Sequence, residues 1–150
     1  MAFKSPRDIA EAACTAGCAK IQSPKSKLIV LAFLAGAFIA FGSQLAVTTA
    51  AGSPWPATIP GIQKLIFASV FPVGLMLVVI AGSELFTGNC MVPFISCLEG
   101  KARWIGLFRN WFLVYIGNFI GALFVAFFLA HLTGLLANDP WNTYIGNIAV

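Results

Sequence analysis

The sequence predicts an all-α membrane protein with three transmembrane spans, of which the second is broken by a loop. Hydrophobic residues make up 59% of the chain and charged residues only 9%, against roughly 25% charged in an ordinary soluble domain. Three apolar stretches are long enough to cross a bilayer, which takes roughly 20 residues. This composition excludes an ordinary soluble fold. The nine basic residues are not clustered as they would be in a surface that contacts the phosphate backbone of a nucleic acid, which argues against a nucleic-acid partner.

The basic residues predict the orientation of the chain in the bilayer. They precede the first apolar stretch and follow the second, and no charged residue occurs between residues 28 and 63. By the positive-inside rule, eight of the nine fall on the cytoplasmic side, and only Lys64 falls near the far face. The sequence therefore predicts a multi-pass protein of the inner (cytoplasmic) membrane with a cytoplasmic N-terminus. So strong a bias argues against insertion in both orientations.

Residues 1–27 are predicted to form a cytoplasmic amphipathic helix that does not cross the bilayer. Ser5 is the expected N-cap, Pro6 the first helical residue and Asp8 the residue that completes a capping box. The helix should run to about Ile21 and carry an apolar face: Ile9, Ala12, Ala13 and Ala16. It would lie on the membrane surface, dock on a neighbouring subunit or be an ordinary surface helix.

Residues 28–136 are predicted to form the membrane unit, which begins with a span from about Leu28 to Ala51. An outer loop at residues 52–61 leads to the second span, which begins near Ile62. The first span has a side of small residues that suits it to close helix packing: Gly36, Ala40, Gly42 and Ser43.

The third span is predicted to run from about Trp104 to Leu136. It contains GNFIG, a small-xxx-small motif whose Asn118 can hydrogen-bond across helices. Residues 137–150 follow as a polar outer tail.

The second span is interrupted at residues 81–93, where AGSELFTGNCMVP brings glycines, an acid and hydroxyls into the apolar stretch. Unwound backbone at this depth must be buried in protein or line a cavity. A broken span is the best sequence pointer to a solute site at the membrane midplane. The chain is therefore interpreted as part of a channel or transporter. A half-helix restarting near Asn89 or Cys90 would attract a small anion through its amides and dipole, which makes Asn89 a candidate substrate-binding residue.

Glu84 is the only carboxylate inside a predicted span. Intramembrane acids are functional candidates, yet a carboxylate on an anion path is repulsive. We therefore expect a structural role, in which ionised or protonated Glu84 caps free amides of the unwound loop. Gly82 and Gly88 are likewise expected to have structural roles in the broken helix.

Four stretches resemble the formate/nitrite transporter family: SPRDIAEAA near the start, LAGAFIAFG in span one, AGSELFTGN at the break and RNWFLVYIGNFIGA opening span three. The resemblance covers nearly all of the chain, in the order and spacing of the N-terminal half of the family. It implies an aquaporin-like fold of six spans in two inverted repeats, with five protomers per ring and a pore in each. This chain would supply the first three-span repeat. An aquaporin itself is not indicated, since no NPA triplet occurs.

The resemblance also implies roles for single residues. Leu75, Leu85 and Phe86 match the apolar constriction on the cytoplasmic side, and Phe71 matches the one nearer the outside. Thr87 matches the break-loop hydroxyl that faces a central histidine, and is a candidate substrate-binding residue. That histidine, with the lysine and asparagine of the pore vestibule, belongs to the second repeat. The single histidine here, His131, matches none of them.

The predicted function is a transmembrane channel or transporter for a small monovalent weak-acid anion, formate first, with nitrite and hydrosulfide as alternatives. The chain would act as a half that needs the second repeat, in a homopentamer or with a complementary chain. The alternative is a non-transporting membrane subunit or anchor of a larger complex. No nucleophile–base pair, metal cluster or cofactor loop predicts an enzyme, a metal or a cofactor. The cysteines are interpreted as structural thiols: Cys14, Cys18, Cys90 and Cys97.

Overall fold

The computed structural model describes residues 3–52 and 59–149, and most of the predicted outer loop therefore lies outside the described residues. Every regular element of the described residues is a helix. Its elements are α1 (Pro6–Gln22), α2 (Lys25–Ala51), α3 (Pro60–Val70), α4 (Pro72–Ala81), α5 (Phe86–Leu98), α6 (Trp104–Val125), a π-helical segment (Ala126–His131) and α7 (Trp141–Ala149).

The predicted capping box at the start of α1 is confirmed. The Asp8 amide donates to the Ser5 hydroxyl at 3.2 Å, and the Ser5 amide donates to the Asp8 carboxylate at 3.2 Å. The helix packs along α5 through Cys14, Gly17 and Ile21, which are its buried residues. The apolar face expected from the sequence lies on the other side: Ile9, Ala12 and Ala16 are exposed.

Three helical segments are long and apolar enough to cross a membrane: Lys25–Ala51, Gly61–Ala81 and Trp104–His131. The predicted start of the third span is correct, but its predicted end at Leu136 is wrong. The helix stops after His131, and Gly134 follows at a φ of 66°, which glycine adopts without steric cost.

The stretch predicted as a polar tail contains a short helix, α7. The Trp141 indole N–H donates to the Thr48 carbonyl of α2 at 3.1 Å. This long-range contact holds the start of α7 against the end of α2, and no local sequence signal indicated it.

The close helix packing predicted for the first span and for GNFIG is confirmed, and the structure shows that α2 and α6 pack on each other. A Cβ added at Gly36 would lie 2.0 Å from the Asn118 carbonyl oxygen, and one at Gly121 would lie 2.0 Å from the Phe33 carbonyl oxygen. Gly117 faces Ala32 at similarly short range. Only glycine permits the two backbones to approach this closely.

A second close contact joins α2 to α4. A Cβ added at Gly42 would lie 2.8 Å from Gly74 backbone atoms, and one at Gly74 would lie 2.9 Å from the Phe38 carbonyl oxygen. Helix α2 is therefore the central element, with α6 on one side and α4 on another.

We expect Gly121→Ala to lower the free energy of unfolding by about 1–3 kcal/mol, because the added methyl group overpacks the α2–α6 contact. Thermal or denaturant unfolding in detergent, followed by circular dichroism, measures this change. Gly146→Ala in α7 is the matched control, since a Cβ there meets nothing within 4 Å. Equal stability of the two variants would contradict the packing account.

Candidate functional site

The second span unwinds at Gly82, immediately after α4. Gly82 has φ 62° and ψ 32°, a left-handed conformation that ends a helix readily with glycine. The Gly82 amide donates to the Val79 carbonyl at 3.2 Å, and the Ser83 amide donates to the Val78 carbonyl at 3.0 Å. Two of the carbonyls in the last turn of α4 are therefore satisfied locally.

Neighbouring helices satisfy the backbone groups of the break. The Glu84 amide donates to the Leu31 carbonyl of α2 at 3.2 Å. The Asn118 side chain of α6 donates to the carbonyls of Glu84 at 2.9 Å and Ala32 at 2.8 Å, and accepts from the Phe86 amide at 2.9 Å. The predicted hydrogen bonding of Asn118 across helices is thus confirmed.

The predicted restart of the half-helix near Asn89 or Cys90 is wrong. Helix α5 begins at Phe86, with Leu85 as an extended N-cap whose carbonyl accepts from the Asn89 amide at 3.0 Å. The sequence suggested a longer loop because Gly88 falls inside it. Asn118 fixes the Phe86 amide from another helix, so the turn closes three residues earlier.

The Glu84 carboxylate lies in a buried polar network. Its Oε2 is 2.7 Å from the Lys20 ammonium and accepts a 2.8 Å hydrogen bond from the Asn89 amide group. The same Asn89 nitrogen also donates to Asn110 Oδ1 at 2.9 Å. The expectation that Glu84 caps loop amides is therefore wrong. The Glu84 and Phe86 amides bond Leu31 and Asn118 instead, and the carboxylate pairs with a cation.

Two further residues complete this network. Asn110 donates to the Lys20 carbonyl at 3.2 Å, and the Trp111 indole donates to the Asn89 carbonyl at 2.8 Å. Asn89 and Asn110 are almost fully buried. The Asn89 Oδ1 atom is buried without a hydrogen-bond partner among the described residues.

Lys20 is the site residue that sequence reasoning missed. It was counted only among the charges that set topology, and 64 positions separate it from its partner. The available signal was charge: a lone carboxylate within a span requires a compensating cation. The side chains are 27% exposed for Lys20 and 9% for Glu84, so the pair is largely withdrawn from solvent.

A cavity of about 310 Å³ lies beside the break. It brings together most of the predicted site residues, with Lys20 at its wall: Leu75, Gly82, Leu85, Thr87, Gly88 and Asn89. The remainder of the lining is formed by Val78, Val79, Ser83 and Val92. The cavity is therefore mainly apolar and carries two hydroxyls, one amide and one ammonium group, and of the hydroxyls that of Ser83 already donates to the Val78 carbonyl.

Two predicted constriction residues do not line this cavity. The Phe86 ring packs against Tyr115 and Trp111, with ring centroids 5.3 and 6.4 Å apart. Phe71 stacks on Phe67 at 5.9 Å. Their constriction roles stay predictions.

Potential metal ligands are not grouped in the part of the chain that the structure describes: no three His, Cys, Asp or Glu side chains there could hold one ion. His131 is exposed and stacks on Phe127 at 5.7 Å.

Comparison with known proteins adds an independent line of evidence. The family model for formate/nitrite transporters matches residues 7–150. A probable formate transporter of Methanothermobacter thermautotrophicus is 52% identical, over 93% of this chain and 51% of the relative. The formate channel BtFdhC of Bacillus thuringiensis is 38% identical, over 95% of this chain and 54% of the relative. The formate channel FocA of Escherichia coli is 34% identical, over 91% of this chain and 47% of the relative.

A solved structure described as an FNT family ion channel superimposes with a TM-score of 0.76 at 25% identity, over 87% of this chain and 51% of that one. The chain thus spans about half the length of the relatives and of the solved structure that it matches. The fold, the broken span and the family model agree: this chain belongs to the formate/nitrite transporter family.

Proposed function

We propose that this chain forms one wall of a transmembrane pathway for a small monovalent weak-acid anion, with formate as the first candidate. The observation that carries the proposal is the cavity beside the break. A hydroxyl and a helix N-terminus lie there next to apolar side chains that reject hydrated ions. Relatives named as formate transporters and channels support formate over nitrite or hydrosulfide.

The electrostatics of the site suit a weak acid. The Lys20–Glu84 pair leaves the polar network without a net charge, so the carboxylate does not repel an approaching anion. The apolar wall has a low dielectric, which raises the proton affinity of an anion beside it. Passage as the neutral acid then avoids the cost of moving a charge through an apolar medium.

The pathway needs a second wall. Leu75 and Thr87 are exposed although they line the cavity. An inverted three-span repeat would cover them, and we propose that it comes either from a further segment of the same polypeptide, in a homopentamer, or from a complementary chain. The N-terminus and α1 would lie on the cytoplasmic side of the inner membrane, and residues 137–149 on the outer side.

A non-transporting membrane subunit or anchor is the alternative. A subunit that only anchors a complex does not need an unwound span or an ion pair buried at the turn. The flux experiment below separates the two.

Formate uptake into proteoliposomes tests the proposal. We expect no flux from this chain alone, and flux above empty liposomes when it is reconstituted with the part of the M. thermautotrophicus relative that it does not match. Thr87→Val should lower this flux about tenfold, because it removes one hydrogen bond to the substrate. A tenfold change corresponds to the free energy of about one such bond. Flux should be higher near pH ~5.5 than near pH ~7.5, because more of the substrate is the neutral acid.

Thr49→Val in α2 is the matched control, because the Thr49 hydroxyl bonds only carbonyls of its own helix. Flux from the chain alone that Thr87→Val abolishes would contradict the need for a second wall. Absence of flux from the folded, inserted two-part assembly would contradict transport and favour the anchor.

The ion pair makes a separate prediction. We expect Lys20→Met to lower the free energy of unfolding by about 1–3 kcal/mol, because it removes the cation that pairs with Glu84. Breaking a fully buried pair costs roughly 3–5 kcal/mol, and this pair is partly exposed. The double variant Lys20→Met/Glu84→Gln should recover most of this loss. Denaturant unfolding in detergent measures both.

Arg7→Met is the control, since the Arg7–Glu11 pair on the same helix is exposed, with side chains 88% and 63% accessible. Surface pairs of this kind contribute little. A double variant as unstable as Lys20→Met would show that the lysine acts by packing rather than by pairing.

A further inference from the structure

A second cavity, of about 430 Å³, lies between the end of α1 and the start of α6. Its lining shares no residue with the cavity at the break: Ile21, Gln22, Lys101, Ala102, Arg103, Ile105, Gly106 and Arg109. It lies where the third span begins, which is the level of the membrane–water interface.

This cavity is lined by cations without an acidic residue. Lys101, Arg103 and Arg109 contribute three positive charges. Neither Lys101 nor Arg103 has a carboxylate within 4.0 Å among the described residues. Glu99 lines the neighbouring cavity with Lys101, on the side towards Arg7.

Arg109 has unused hydrogen-bonding capacity. One terminal nitrogen donates to the carbonyls of Ile21 and Ser23, which holds the guanidinium beside α1. Its Nε is buried and has no partner in the described part of the chain. The carbonyls that the guanidinium contacts are neutral, so they do not neutralise its charge, and a phosphate oxygen in the cavity is a suitable partner for an arginine.

The start of α6 adds to the positive potential. Its N-cap, Arg103, is extended, and no side chain caps the first turn. The N-terminal amides and helix dipole favour an anion, although a helix end alone would not define a site. Here they adjoin three cations.

An apolar stripe leads away from the cavity along α6. Ile105, Phe108 and Phe112 lie at positions i, i+3 and i+7, so they share one helix face. They are 70%, 57% and 66% exposed. The stripe lies within the third span, where hydrocarbon chains would cover it.

We propose that this cavity binds the phosphate group of an anionic phospholipid, whose acyl chains lie along Ile105, Phe108 and Phe112. Basic pockets beside membrane helices recognise such headgroups. The adjoining stripe favours a lipid over free phosphate, which would use only the cations. This inference does not depend on the proposed transport function.

Lipid titration of the purified chain in neutral detergent tests the proposal. Binding is followed by the upward shift of the thermal unfolding midpoint, which a ligand of the folded state produces. The probes are phosphatidylglycerol, phosphatidylcholine with the same acyl chains, and glycerol phosphate. We expect phosphatidylglycerol to shift the midpoint most. The double variant Lys101→Gln/Arg103→Gln should bind it about 10- to 30-fold more weakly.

The matched control is Lys25→Gln/Lys27→Gln, which removes the same charge from exposed positions at the start of α2. It should keep the wild-type affinity. Equal loss in both double variants would mean general attraction to a basic surface and would overturn the proposal. Equal binding of phosphatidylcholine would overturn the role of headgroup charge. Equally tight binding of glycerol phosphate would assign the cavity to a free phosphate ester instead.

Discussion

The structure depends on one constraint: every backbone group of the interrupted span must find a partner inside the protein or face a cavity, because hydrocarbon supplies none. Each group left unpaired would cost several kcal/mol (about 2–7 kcal/mol for an amide). The Glu84 amide reaches the Leu31 carbonyl, and Asn118 serves the groups on either side of the turn. These bonds form only if α2 and α6 lie close to the break. Gly36 and Gly121 permit that approach, so the hydrogen bonds at the broken span depend on the close packing of the helices.

The second consequence of the break is electrostatic. A carboxylate buried at this depth requires a cation, and α1 supplies it although α1 is not among the described helices that are long and apolar enough to cross a membrane. Lys20 therefore links the N-terminal helix to the candidate pathway. Asn89 and Asn110 complete the network and fix the first turns of α5 against α6. The result is a charge-paired polar network beside a mainly apolar cavity, which is consistent with the proposed passage of a small weak-acid anion.

Local patterns in the sequence predicted the elements well. Hydropathy located the three spans, the Ser5–Asp8 capping box located α1, and GNFIG indicated a closely packed side of α6 without identifying α2 as its partner. The end of the third span was missed at a local glycine, Gly134, but three other failures share a physical cause, since each depends on a contact between distant residues. Asn118 moves the start of α5 to Phe86, Lys20 takes the carboxylate of Glu84, and Trp141 holds a helix where a polar tail was expected. No periodicity or capping signal encodes such pairings.

Amide hydrogen–deuterium exchange at Glu84 and Phe86, resolved by NMR in lipid nanodiscs, tests the central claim most directly. If neighbouring helices hold the unwound turn, these amides should be protected as strongly as those in the interior of α2. Exchange as fast as that of exposed chain ends would mean that water, rather than Leu31 and Asn118, satisfies the break. That result would contradict the account of how this span is interrupted.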